Sequence, residues 1–170
     1  MSDKFPDRID PLVFAERRGT VAGQLALAQF ERLSDYLVER DGAVDVRLEF
    51  DKEGKRVVLS GQIVGTVQLE CQSCLQGVAW PLDIRFKLAV VATPTEAERL
   101  EDYEPIVLDD DKISLHAVVE DEILLAIPDF PRHEHRCLER NSSSDNDYTD
   151  SRTKADNPFS VLAKLKKTGD

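Results

Sequence analysis

Two periodicities divide the chain. From Val44 onward the apolar residues fall on every second position: Val44, Val46, Leu48 and Phe50 alternate with Asp45, Arg47, Glu49 and Asp51. That alternation marks a half-buried antiparallel strand, with one face on a core and the other in water. Asp51-Lys52-Glu53-Gly54-Lys55 reads as a turn, after which Val57 and Leu59 resume the pattern. Gly61 reads as a bulge or bend, and Ile63, Gly65, Val67, Leu69 and Cys71 then alternate with Gln62, Val64, Thr66, Gln68 and Glu70. Beyond Cys71-Gln72-Ser73-Cys74, Leu82, Ile84, Phe86, Leu88 and Val90 share one face, opposite Asp83, Arg85 and Lys87. The pattern predicts a meander of about four strands.

Helical spacing flanks this region. Asp10-Pro11 supplies an N-cap followed by proline at the first helical position, and Gly19 closes a short helix. Ala26, Phe30, Leu33 and Leu37 recur at steps of 4, 3 and 4, which predicts a second helix ending near Asp41-Gly42. Tyr103 to Leu108 reads as a short edge strand and Asp109-Asp110-Asp111 as a solvated turn, after which Ser114 can cap a helix to Ile127, before Pro128. The stretch 138–156 is nearly devoid of large apolar groups and is expected to be a mobile linker, because it cannot offset its ordering entropy. Asn157-Pro158 then caps a final short helix carrying Phe159, Leu162 and Leu165, with Lys164, Lys166 and Lys167 near its end. The predicted fold is α+β: an antiparallel β-meander sheet with N-terminal helices and a following helix packed on it. It would occupy 1–137, followed by the linker 138–156 and a C-terminal docking helix in 157–170.

Composition sharpens this picture. A chain of 170 residues with 41% hydrophobic and 32% charged residues fits a single domain with a tail. The formal net charge is -11, and 96–122 alone holds eleven acids against two bases. Such a chain is repelled overall by phosphate backbones, which disfavours a broad electrostatic nucleic-acid binder. The acidic window instead suits docking of a basic partner such as a ribosomal protein. Direct RNA contact would need a local patch, drawn from Arg47, Arg56, Arg85 and Lys87 on strand faces that are mixed in sign, with the terminal lysines Lys164, Lys166 and Lys167. No stretch approaches the roughly 20 apolar residues of a membrane span. No apolar signal segment opens the chain, and the three cysteines are an odd number. These features point to the reducing cytoplasm.

Candidate chemistry centres on Cys71 and Cys74. A tight turn between strands can present two thiolates to a metal, whereas thioredoxin-type redox chemistry needs the pair at a helix N-terminus. Two more donors would come from His133, His135 and Cys137. The expected ligand set is Cys71, Cys74, His133 and Cys137, with His135 as alternate and zinc as the metal. The competing reading is a pair of half-buried thiols at a hairpin tip beside a solvated His-rich loop. Glu122 falls near the centre of the apolar arc formed by Leu115, Val118, Val119, Ile123, Leu125 and Ala126, where a carboxylate is costly unless paired. A structural pair with an arginine or backbone donors is favoured there over a recognition role. Glu120 and Asp121 point away from that arc and are expected to be solvated. Candidate partner-binding residues are Glu120, Asp121 and Glu122, together with Phe159, Leu162 and Leu165, whose helix would dock on the protein's own sheet or in a partner's groove. No P-loop, dinucleotide fingerprint, nucleophile elbow or His-Glu-x-x-His occurs, so no catalytic residue is assigned.

Four motifs, in order, carry a resemblance. Leu69-Glu70-Cys71-Gln72-Ser73-Cys74, Tyr103-Glu104-Pro105-Ile106, Glu120 to Pro128 and Asn157-Pro158-Phe159-Ser160-Val161-Leu162 resemble the YceD family, the large-ribosomal-RNA-subunit accumulation proteins of bacteria and plastids. The resemblance implies a non-enzymatic ribosome-biogenesis factor for the synthesis, processing or stability of large-subunit rRNA. Family genes commonly neighbour one for a large-subunit ribosomal protein, which implies such a protein or a precursor particle as partner, with rRNA contacted directly or indirectly. Many relatives carry further cysteines in a metal-binding pattern; this sequence keeps Cys137 and the nearby histidines but has no second Cys-x-x-Cys. The alternative is a zinc-stabilised protein-interaction module without a ribosomal role.

Overall fold

A computed structural model describes residues 5–135 and Cys137. The predicted linker 138–156 and the terminal helix with Phe159, Leu162 and Leu165 lie outside the described residues. In chain order the elements are β1 (Arg8–Ile9), α1 (Pro11–Glu16), β2 (Thr20–Ala26), β3 (Leu37–Glu39), β4 (Ala43–Glu53), β5 (Arg56–Glu70), β6 (Gly77–Val91), α2 (Pro94–Ala97), β7 (Glu104–Val107), β8 (Ile113–Ser114) and α3 (Leu115–Ala126). Two 3-10 turns, Leu27–Gln29 and Leu33–Asp35, lie between β2 and β3.

The fold is α+β, as expected. Its sheet runs β2-β4-β5-β6-β7, with β3 pairing on β5. All pairings are antiparallel except β6 with β7, which is parallel, so the sheet is mixed. Val44, Val46, Leu48 and Phe50 are all buried, as their alternation requires. Gly54 has φ +65° in the two-residue loop between the partners Glu53 and Arg56. Glycine adopts that conformation without the steric penalty other residues meet.

Two sequence expectations are corrected. The first concerns the meander, which has three long strands rather than four, because β5 runs unbroken through Gly61. Gly61 sits opposite Phe86 in register, and a Cβ there would overlap the Phe86 ring. The missing side chain therefore makes room for an aromatic cross-strand neighbour and does not bend the strand.

The second concerns the segment after Gly19, which is not a helix. Thr20–Ala26 pairs with β4, placing Val21 and Leu25 in the core while Thr20 and Ala26 stay exposed. Leu27, Phe30 and Leu33 are then buried from the 3-10 turns. A strand followed by two short turns has reproduced the spacing of a helical face. Only one N-terminal helix, α1, remains, and it behaves as predicted. Asp10 accepts hydrogen bonds from the Leu12 and Val13 amides, and Phe14 packs edge-on to Phe50 at 5.6 Å between centroids.

Helix α3 starts where expected, with the Ser114 hydroxyl accepting from the Ala117 amide, and ends at Ile127 before Pro128. It buries Leu115, Val118, Val119 and Ile123. Glu120 is buried too, contrary to the expectation of solvation, with its side chain 10% exposed. Its carboxylate accepts from the Arg32 and Leu33 amides at 2.7 and 3.1 Å, and from Arg32 Nε and Nη2 at 3.1 and 3.0 Å. One side chain thus satisfies the leading N–H groups of the second 3-10 turn and binds it to α3 across 87 residues of sequence.

This arrangement sets a stability test. Glu120→Ala would orphan two backbone donors and leave the Arg32 guanidinium to Asp121 alone. Because Arg32 remains half-exposed, the expected loss is about 2 kcal/mol, within the range for a charged hydrogen-bonded group. Glu120→Gln, which keeps the shape and one acceptor, should lose less. Urea unfolding reads both, and wild-type midpoints for the alanine variant would contradict this role.

Candidate metal centre and acidic face

β5 and β6 stay in register to the pair Glu70 and Gly77, so the six residues between them form a tight knuckle at one end of the sheet. The Cys71 amide donates to the Gln76 carbonyl at 2.9 Å and the Leu75 amide to the Cys71 carbonyl at 2.8 Å. Leu75 takes φ +61°, the left-handed conformation that closes the turn. Strands flank Cys71 and Cys74 on both sides, as the metal reading requires and the thioredoxin-type reading does not.

The remaining donors arrive by way of α3. After Pro128 the chain runs back to the knuckle, where the Gln72 amide donates to the Pro131 carbonyl at 2.9 Å. This places His133 and Cys137 beside the two cysteines, with one donor atom each from Cys71, Cys74, His133 and Cys137 within 4.8 Å of one another. Cys71 Sγ lies 3.7 Å from Cys137 Sγ, and His133 Nδ1 lies 3.6 Å from Cys74 Sγ and 3.2 Å from Cys137 Sγ. A tetrahedral zinc with Zn–S bonds near 2.3 Å separates its sulfur ligands by about 3.8 Å, so the spacing fits such an ion. Cys71 is buried and the other three are half-buried or nearly so.

Electrostatics favour a cation here. Burial pushes the Cys71 thiol up, but amide donors from Ser73, His133 and Cys74, with the His133 ring, bring it down to about 5. Burial and the adjacent Cys71 and Cys74 sulfurs push Cys137 up to about 11. The Cys71 thiolate therefore forms readily, while ionisation of Cys137 is opposed by its neighbours unless a positive ion sits among them. The His133 ring is oriented from behind, with Nε2 3.1 Å from the Gly77 carbonyl. A carbonyl only accepts, so Nε2 carries the proton and Nδ1 turns its lone pair toward the sulfurs, the outer-shell arrangement typical of metal-binding histidines. His135, the alternate ligand, stands outside the group, its ring against that of His133 at 4.8 Å between centroids.

The acidic residues divide by role. Asp109 pairs with Arg8 at 2.8 Å. Asp121 shares Arg32 with Glu120, at 2.6 Å from Nη1. The arginine pair expected at Glu122 thus belongs to Glu120. Glu122 is itself 9% exposed and makes no hydrogen bond or ion pair among the described residues. Burial, with the charges of Glu104 and Asp121, holds its carboxyl above the usual range. Sequence reasoning marked Glu122 as buried but missed Glu120, because the arc calculation assumes that only one side of the helix is covered. On the sheet, Arg47 pairs with Glu49 at 2.8 Å, Arg85 with Asp83 at 3.9 Å and Lys87 with Glu53 at 2.5 Å. Three of the four strand cations considered for an RNA patch are therefore locally neutralised.

Comparison with known proteins places these features in context. A family model described as "Large ribosomal RNA subunit accumulation protein YceD" matches residues 59–166, a span that contains the knuckle, the acidic face and the 131–137 segment. The chain is also 35% identical over 168 residues to the protein named "Large ribosomal RNA subunit accumulation protein YceD" from Haemophilus influenzae, an alignment covering 96% of this chain and 97% of that relative. No solved structure matches. With likeness over most of its length to both a family model and a relative, the chain belongs to the YceD family.

Proposed function

We propose that this chain is a non-enzymatic, cytoplasmic ribosome-biogenesis factor required for the synthesis, processing or stability of large-subunit rRNA, acting with a ribosomal protein or precursor particle. The observation that carries this reading is end-to-end similarity to a relative whose name states a role in large-subunit rRNA accumulation. Charge favours action through protein. The net charge is -11, and Arg47, Arg85 and Lys87 already have acidic partners, so escort of a basic ribosomal protein suits the surface better than direct phosphate contact.

The second part of the proposal is a structural zinc at Cys71, Cys74, His133 and Cys137. When bound, such an ion would cross-link its four donors and keep the thiols ionised. Three sulfurs and one nitrogen fill a tetrahedron and leave no position for a substrate, the pattern of structural zinc sites. The knuckle would be held by Cys71 and Cys74, and the 131–137 segment by His133 and Cys137, with the Gly77 carbonyl fixing the His133 ring. No helix among the described residues is long and apolar enough to cross a membrane.

Depleting the protein should lower large-subunit rRNA relative to small-subunit rRNA, read by electrophoresis of total RNA. An unchanged ratio would remove the ribosomal reading. For the metal, protein purified without added zinc should carry about one zinc per chain by elemental analysis. Cys71→Ser should lose most of that zinc and lower Tm by roughly 5–10 °C, the shift that about 2 kcal/mol produces in a domain of this size. Equal zinc content and equal Tm in the variant would rule out the metal centre and leave the rRNA reading standing.

A further inference from the structure

A groove of about 380 Å³ lies between β7 and α3. Ile106, Val118 and Leu125 give it apolar walls, and Glu104, Asp121 and Glu122 supply acid. Among the described residues, no lysine or arginine lines it. Leu125 is 73% exposed, an unusual position for a leucine in a helix whose neighbours Val118, Val119 and Ile123 are buried.

Glu122 is the telling group. It lines this groove, is 9% exposed and has no partner among the described residues, so its carboxylate oxygens are the atoms that still touch water. Arg32, the cation that pairs with the adjacent Asp121, is shared with Glu120. A partly desolvated carboxylate beside Glu104 and Asp121 is relieved when an opposite charge reaches it. An apolar groove with one exposed leucine and a carboxylate unpaired among the described residues calls for a ligand that is apolar on one side and cationic at one point.

We propose that the groove between β7 and α3 docks a lysine- or arginine-bearing amphipathic segment of a partner protein, whose apolar side chains cover Ile106, Val118 and Leu125 and whose cation pairs with Glu122. Nucleic acid is a poor occupant, because its phosphates would meet Glu104, Asp121 and Glu122 together. A second copy of the chain is disfavoured by the like charge of two acidic faces brought together. An amphipathic segment satisfies both requirements in one ligand: helical spacing of apolar residues presents anchors on one face, and a basic residue beside them reaches the carboxylate. This inference rests on the proposed function only in that a basic ribosomal protein could carry such a segment; the chemistry of the groove stands without it.

The test uses the full chain and a fluorescent synthetic peptide of leucine at helical spacing with lysines beside it. Two control peptides carry glutamate in place of lysine, or the same composition with the leucine spacing scrambled. Fluorescence anisotropy should show saturable binding of the first peptide only. Leu125→Ser and Glu122→Gln should each weaken it by about tenfold, which is about 1.4 kcal/mol. Asp110→Asn, which removes an acid from the turn outside the groove, should leave affinity within about twofold, a difference of about 0.4 kcal/mol. Glu122→Gln should also leave Tm equal or higher, since it removes a partly desolvated carboxylate repelled by Glu104 and Asp121, so weaker binding could not be put down to unfolding. The proposal is overturned if the basic peptide does not bind, if the scrambled peptide binds equally, or if Asp110→Asn matches the groove variants. It is also overturned if sedimentation shows self-association that Leu125→Ser abolishes while peptide affinity is unchanged. None of these outcomes depends on rRNA levels, so the result stands apart from the depletion test.

Discussion

The register between β5 and β6 is the constraint on which the rest depends. Fourteen consecutive pairs, from Val57 with Val90 to Glu70 with Gly77, lock two strands of fifteen residues each. At about 3.4 Å per residue such a ribbon is some 50 Å long, so whatever is joined to its two ends is held far apart. A slip of one residue would turn Leu59, Ile63, Val67 and Leu69 from core to solvent, which makes the register unusually well specified. Pairing that ends at Glu70 and Gly77 fixes the knuckle at one end, and β6 leads away from it toward α2 and β7. Helix α3 is the return path. Its seating on the sheet decides where Pro131 meets Gln72, and hence whether His133 and Cys137 reach Cys71 and Cys74.

The seating of α3 is governed by polar as well as apolar contact. Val119 and Ile123 supply burial, but leucine and valine packing alone tolerates sliding. Glu120 removes that freedom, because its two oxygens are matched to two amides and a guanidinium in fixed positions. The same contact explains why Thr20 to Leu37 adopts a strand and two turns. An isolated stretch with apolar residues at steps of 4, 3 and 4 has every local reason to be a helix. What opposes it is pairing with β4 on one side and a carboxylate cap from α3 on the other, both remote in sequence.

Legibility followed the range of the forces involved. The strands β4 to β6, the Asp10 and Ser114 caps and the stop at Pro128 are set by neighbouring residues and could be read directly. Gly61 could not, because its meaning depends on Phe86 across the sheet and not on its neighbours in the chain. All four donors of the candidate metal centre were nameable from chemistry, since cysteine and histidine are few. Their convergence was not, because it rests on the length of β6 and the path of α3. The helix-face argument placed Glu122 inside correctly and Glu120 outside incorrectly. A periodicity calculation finds the largest apolar side of a helix, and α3 has a second covered side built from Leu27 to Leu33.

The two candidate features differ in kind. The four-donor cluster is closed, and a closed site acts by holding parts together. What it holds is the 131–137 segment against the knuckle, which in turn fixes the C-terminal end of α3. The β7 groove is open and carries an unspent charge. Of the three adjacent acids 120 to 122, Glu120 and Asp121 have been used to bind the fold to itself through Arg32. Glu122 has not among the described residues, although burial raises its carboxyl above the ordinary value. A fold that only had to be stable would gain by an apolar residue at that position. Retaining a carboxylate there makes physical sense if its partner comes from outside the described residues, and this separates the acids that build the described fold from the one that remains available for recognition.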